Sequence, residues 1–173
     1  SRYNWLNDAT NTGNDWYFEN TDRSDRSNPP DDSAVTRMVN KNRFAKTDTL
    51  LTVPMIGFVA KEQKISCGFS IAKYGNQKNR DPGRPDCGGG IKPNGKFITG
   101  NAAKDTSIPV NASFVKKWID FLVNKKYGKA SNNGVKFYNL DNEPDLWYST
   151  HRDVFPIALK YDQLLDRTYQ YAS

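Results

Sequence analysis

The stretch GVKFYNLDNEPDLW, residues 134–147, decides how this sequence is read. GVKFYNL reads as a short strand, with apolar and β-branched residues and a bounding glycine. Asp141, Asn142, Glu143, Pro144 and Asp145 follow at once. A strand that only packs needs no such cluster at its end. In parallel α/β sheets, reactive groups gather at the carboxyl ends of strands. There Glu143 is a candidate general acid or base, and Asn142 an amide that both donates and accepts. Pro144 fixes the backbone just after the acid. The plainer reading is a strand-to-helix turn, because Asp, Asn and Pro are ordinary turn residues. Glutamate is scarce, present only as Glu19, Glu62 and Glu143, which tilts the reading toward chemistry.

Upstream of that strand, NASFVKKWIDFLVNKKYG, residues 111–128, predicts the strongest helix. Phe114, Val115, Trp118, Phe121 and Leu122 form one apolar stripe. Asn111 or Ser113 is its expected cap and Gly128 its end. Ala34, Val35, Met38 and Val39 predict an earlier helix that starts at Asp32 or Ser33 and ends near Phe44. TLLTVPMIGFV, residues 49–59, reads as one strand buried on both faces, and KISCGFSI as its extension or successor. YDQLLDRTYQYAS at 161–173 predicts a last helix. Residues 1–32 read as a long loop, a kind that is usually functional in compact domains. Residues 73–109 form a second loop region. Its glycines 88–90 lack the GK[ST] ending of a phosphate loop and read as a flexible turn. Alternating helices and strands imply crossovers and a parallel sheet.

With 173 residues the chain is long enough for one domain with a core. Net charge is +6, but the basic residues are interleaved with Asp and Asn, without a long basic run. A solvated basic surface accounts for this better than a nucleic-acid partner. No apolar run approaches the roughly 20 residues of a membrane span. Cys67 and Cys87 flank a Gly- and Pro-rich loop and could close it as a disulfide in a secreted protein. The single histidine, His151, excludes a two-His metal motif and reads as a hydrogen-bonding residue near the acid.

Trp5, Trp16, Tyr17, Phe18, Trp147 and Tyr148 all fall in segments dense with polar residues. Flat aromatic faces stack on the C–H faces of sugar rings, while Asn and Asp bond the hydroxyls. The alternative is that these rings plug small cores under the loops. If the ligand is a sugar, Glu143 would protonate a glycosidic oxygen and Asn142 would hold the 2-hydroxyl.

SRYNWLNDATNTGNDWYFEN at 1–20 and FYNLDNEPDLWYSTHRDVFP at 137–156 closely resemble glycoside hydrolase family 44. Those are secreted bacterial endo-β-1,4-glucanases and xyloglucanases. The resemblance covers essentially the whole chain in order. It implies a (β/α)8 TIM barrel and retaining catalysis by two glutamates, with a small β-sandwich in full-length members. The Asn-Glu-Pro glutamate at the end of the fourth strand is the acid/base, matched here by Glu143 after Asn142. The NDW motif makes Trp16 the matching cleft tryptophan, and Trp147 a second candidate platform. The family's nucleophile lies on a late strand, and neither Glu19 nor Glu62 fits its motif.

Residues 1–173 are therefore expected to be a single segment of the catalytic domain. They would form an α/β partial barrel, roughly strands two to four with their helices, incomplete without the remainder of the barrel or another chain. The expected partner is a β-1,4-glucan, with no nucleic acid and no membrane. No organic cofactor is implied. A structural calcium is compatible with the resemblance, with no ligands assigned. The expected location is extracellular. Two rival readings stand beside this one: a carbohydrate-binding fragment without catalysis, and a basic nucleic-acid-binding domain.

Overall fold

The computed structural model describes residues 2–21 and 28–172; the stretch 22–27 of the expected N-terminal loop lies outside the described residues. Helix α1 spans Ala34–Phe44 and starts on a capping box between Ser33 and Thr36. The buried Asp8 carboxylate reinforces that start by accepting the Ala34 amide with both oxygens, each at 3.0 Å. Strand β1 follows at Leu50–Val53.

The apolar run after β1 does not continue as one strand. Pro54 has no N–H to offer a ladder, and the chain turns through Gly57 before β2, Phe58–Ala60. Strand β2 leaves the parallel sheet and pairs antiparallel with β3, Ser107–Pro109. Burial along β1 alternates, with Leu51 and Val53 inside and Leu50 exposed, so the expectation of two buried faces is corrected to one.

KISCGFSI is not a strand either. It supplies isolated bridges and leads into a four-residue helix α2, Ile71–Tyr74. Cys67 and Cys87 form a disulfide. The glycine triplet 88–90 is packed rather than flexible, because a Cβ on Gly90 would lie 2.7 Å from the Phe69 ring.

Helix α3, Ala112–Phe121, continues as a π-helical turn over Leu122–Tyr127 and stops at Gly128. Val115, Trp118 and Leu122 point from it into the main core, where they meet Leu51, Val53 and Val39. Strand β4, Phe137–Leu140, pairs parallel with β1, Leu51 opposite Tyr138 and Val53 opposite Leu140. Among the described residues this parallel sheet has two strands. A 3₁₀ turn at Pro144–Leu146, a short helix α4 at Trp147–Thr150 and helix α5 at Tyr161–Ala172 complete the chain. Helix α5 packs against α3 and ties back through Arg167, which donates to the Met55 carbonyl at 3.0 Å.

Candidate active site

The turn after β4 is built around Asp141. One of its carboxylate oxygens accepts the Met55 and Ile56 amides at 2.7 and 3.1 Å; the other accepts the Asn142 amide at 2.8 Å. The bend that interrupts the apolar run after β1 is thereby locked to the end of β4. Asp141 and Glu143 both adopt left-handed backbone, with φ of 61° and 43°. Non-glycine residues rarely hold that conformation, and each costs on the order of 1–2 kcal/mol. Two of them around Asn142 reverse the chain sharply.

Glu143 emerges from this reversal exposed, with the Asn142 amide donating to its Oε2 at 3.2 Å. Pro144 opens the 3₁₀ turn that follows. The Asn142 carbonyl is fixed in turn by the Trp147 indole N–H at 3.1 Å. Glu143 and Asn142 border a cavity of about 250 Å³, whose other walls include Arg2, Asn11, Asp15 and His151.

The far wall of the cavity comes from the N-terminal loop. The turn Gly13–Trp16 packs directly on α4. A Cβ on Gly13 would lie 2.7 Å from the Thr150 carbonyl oxygen and 2.9 Å from His151 Nδ1, at a φ of +67°. Only glycine fits that joint. Arg2 anchors the loop from beneath. It is buried, pairs with Asp153 at 2.6 Å, and donates to Asn11 Oδ1 at 2.8 Å. Burial, and then the Arg2 charge, push His151 down to about 3, so the imidazole is neutral at ordinary pH.

The candidate aromatics divide sharply. Trp16 is 51% exposed and stands beside the cavity, its neighbour Asp15 forming part of the wall. Its indole N–H is held by Asp81 Oδ2 at 3.1 Å and its ring meets Tyr17 edge-on. Tyr148 is also exposed. Trp147 is different: its exposure is 0%, and it packs with Met55, Ile56 and Phe155. It offers no face to a sugar, and its part is to brace the Asn142 carbonyl. Trp5 and Phe18 are core plugs as well. Trp5 packs against Phe114 and Phe121, and Phe18 against Phe69.

Sequence reasoning placed Glu143, Asn142, Trp16 and Trp147 around one site; the structure sets the first two in contact, with Trp16 adjoining, and buries Trp147. It missed Asp141, Gly13, Arg2 and Asp81, which hold them there. A trace of Asp81 was present in RDPGR, since Asp-Pro-Gly is a turn signal and Asp81 does accept the Gly83 amide. Its bond to a tryptophan 65 residues away left no local signal. Among the described residues no three His, Cys, Asp or Glu side chains are grouped so as to hold a metal ion, so no calcium ligands are assigned.

The family model for glycoside hydrolase family 44 matches residues 9–173. The chain is 36% identical to CelM2, a bifunctional glucanase-xylanase from a metagenome library, with a TM-score of 0.92 over 98% of this chain and 33% of that one. A family 44 xyloglucanase from Paenibacillus polymyxa, solved with xyloglucan, superposes with a TM-score of 0.68 at 27% identity, covering 99% of this chain and 32% of that one. Beta-mannanase/endoglucanase A of Caldicellulosiruptor saccharolyticus is 27% identical over 98% of this chain, which spans 12% of that protein. Endoglucanase A of Paenibacillus lautus is 26% identical over 96% of this chain, which spans 23% of it. The chain therefore corresponds to about a third or less of the length of these relatives. A match running from residue 9 to residue 173 takes in nearly every element described above, and this chain belongs to glycoside hydrolase family 44.

Proposed function

We propose that these residues carry the acid/base side of a retaining endo-β-1,4-glucanase site, in a partial (β/α)8 barrel corresponding roughly to strands two to four. Glu143 is the acid/base. It protonates the leaving glycosidic oxygen and later takes a proton from the water that releases the glycosyl-enzyme. Asn142 holds the substrate 2-hydroxyl, and Trp16 is the stacking platform. The observation that carries this reading is the pinned reversal at the end of β4. Two left-handed residues and a buried Asp141 together aim one exposed glutamate at a cavity walled by the N-terminal loop.

A retaining enzyme needs a second carboxyl about 5–5.5 Å from the first. Glu19 is fully buried, with the Arg84 guanidinium donating to its carboxyl, which makes it unfit to attack a sugar. The nucleophile is assigned to the remainder of the barrel or to another chain. Named activities of the relatives, endoglucanase, xyloglucanase and glucanase-xylanase, support a β-1,4-linked polysaccharide as substrate. The Cys67–Cys87 disulfide supports an oxidising, extracellular setting.

The exposed Trp16 face, with the nucleophile placed elsewhere, also favours a second reading, a carbohydrate-binding segment without catalysis. A chimera separates the two, with this chain replacing the matching third of the metagenomic glucanase-xylanase. The acid/base reading predicts reducing-sugar release from xyloglucan or carboxymethyl cellulose that falls about 10²–10⁴-fold in Glu143→Gln. Release that survives this change contradicts it. Retention on xyloglucan that depends on Trp16 but not on Glu143, without release, supports the binding segment.

A further inference from the structure

Behind the exposed Trp16 ring lies a buried acid that the chemistry above does not use. Glu19 has an exposure of 0%. The Arg84 guanidinium donates to its Oε2, while Oε1 is buried with no donor facing it. What faces Glu19 is the carboxyl of Asp81, within hydrogen-bond reach. Asp81 is buried too, and both its oxygens already accept. Oδ2 takes the Trp16 indole N–H at 3.1 Å and Oδ1 takes the Gly83 amide at 2.8 Å.

Two ionised carboxylates cannot hydrogen-bond each other, and in a dry site their charges repel. A proton on one of the pair removes the repulsion and gives the contact its donor. Glu19 Oε1 has nothing to accept, whereas Asp81 is an acceptor on both oxygens. We infer that Glu19 is held protonated in the folded chain, donates to Asp81, and so is the positioning residue that fixes the Trp16 ring beside the Glu143 cavity.

The surroundings agree. Burial pushes Glu19 up to about 7, opposed by Arg84 and reinforced by Asp81. Burial would raise Asp81 as well, but the Gly83 amide, Glu19, the Trp16 N–H and the Arg84 charge outweigh it and hold Asp81 below the usual range. Asp81 and Arg84 are the charged groups facing Glu19. Arg152 lies 4.4 Å over the neighbouring Phe18 ring, but its N–H groups go to Asn14 and the Gly89 carbonyl. Cys67, whose backbone bridges to Glu19, is disulfide-bonded and does not titrate. Above neutral pH Glu19 loses its proton, the pair becomes two anions, and the anchor on Trp16 loosens. That the anchored ring meets sugar rests on the function proposed above; the proton does not.

The test follows the indole N–H resonances of the ¹⁵N-labelled chain from about pH 5 to about pH 8.5. The Trp16 signal is identified by its loss in Trp16→Phe. It should move through one titration centred near neutrality. In Glu19→Gln, whose amide donates to Asp81 at every pH, it should stay flat. In Asp81→Asn the near-neutral step should vanish. A Trp16 signal that ignores pH in the parent chain, or titrates unchanged in either variant, overturns the inference. Binding of a xyloglucan oligosaccharide is then compared at both ends of the range. Several-fold weaker binding at the alkaline end in the parent, but not in Glu19→Gln, supports the positioning role. Equal binding at both ends overturns that role. Absence of binding at any pH, with the titration intact, counts against the proposed function and leaves the proton on Glu19.

Discussion

At Asp141 a single carboxylate serves three backbone amides, those of Met55, Ile56 and Asn142. Leaving such buried donors unpaired costs about 1–3 kcal/mol each, so Asp141→Ala should destabilise the fold by on the order of 3 kcal/mol or more. Asp141→Asn, which keeps one acceptor oxygen, should cost less. Urea unfolding of both variants checks the order, and equal midpoints for Ala and parent would contradict it. Trp16 and Trp147 make a second comparison. Replacing the half-exposed Trp16 by Ala strips the indole donor from the buried Asp81 carboxylate and should cost about 1–3 kcal/mol while weakening binding to β-glucan. Replacing the buried Trp147 should cost about 3–5 kcal/mol, and the loose turn behind Glu143 should follow. In the sequence the two tryptophans looked alike, because both sit among Asn and Asp. What separates them is burial by Met55, Ile56 and Phe155, which arrive from distant parts of the chain. Glu143 was legible as a candidate because a scarce glutamate stands at the end of a strand. The group that pins it was not, because a three-amide anchor reads in sequence like any turn aspartate.

The regular elements follow local rules, and those were the readable ones. Helix α1 begins at Ser33, and α3 stops at Gly128 after an apolar stripe that does face the core. The apolar run after Thr49 was misread because hydrophobicity alone does not show where a chain turns. Pro54 and the Asp141 anchor decide that. The joint between the turn Gly13–Trp16 and α4 is set by contact rather than by propensity. Gly13→Ala would meet the Thr150 carbonyl oxygen at 2.7 Å and force an alanine to a φ of +67°. The backbone conformation alone costs about 1–2 kcal/mol. The turn should shift off α4, carrying Trp16 with it, so sugar affinity should fall by more than stability does. Calorimetry of sugar binding beside urea unfolding reads both. Affinity left intact would show that the joint does not position the ring. The loop between Cys67 and Cys87 is closed over 20 residues, a length for which a disulfide contributes about 3 kcal/mol. Its pairing was an open alternative in the sequence, since two cysteines flanking a loop do not report their separation in space.

Across the whole molecule, two buried groups oppose each other in their response to pH. Glu19 is pushed up from 4.5 to about 7, so the folded chain keeps a proton that the unfolded chain releases. Its contribution is complete below about 4.5 and is lost as pH rises through 7. His151 is pushed down from 6.5 to about 3, so the unfolded chain takes a proton that the folded chain refuses. Its contribution is complete above 6.5 and is lost as pH falls toward 3. Between 4.5 and 6.5 the two slopes cancel, and the stability of the parent should be nearly level. Glu19→Gln should unmask a stability that rises with pH across that window, and His151→Asn one that falls. Urea midpoints at several pH values read the slopes, and two variants as flat as the parent would contradict the assignment. Neither group could be read this way in sequence, because each shift comes from burial under other segments. The central claim concerns Glu143 and is tested most directly by chemical rescue in the barrel chimera. In Glu143→Gly, hydrolysis of an aryl cellobioside should stall at the glycosyl-enzyme and recover when azide is added, with a β-configured glycosyl azide as product. A variant as fast as its parent, or one that gives the α-configured azide expected on replacing a nucleophile, would contradict the acid/base role of Glu143.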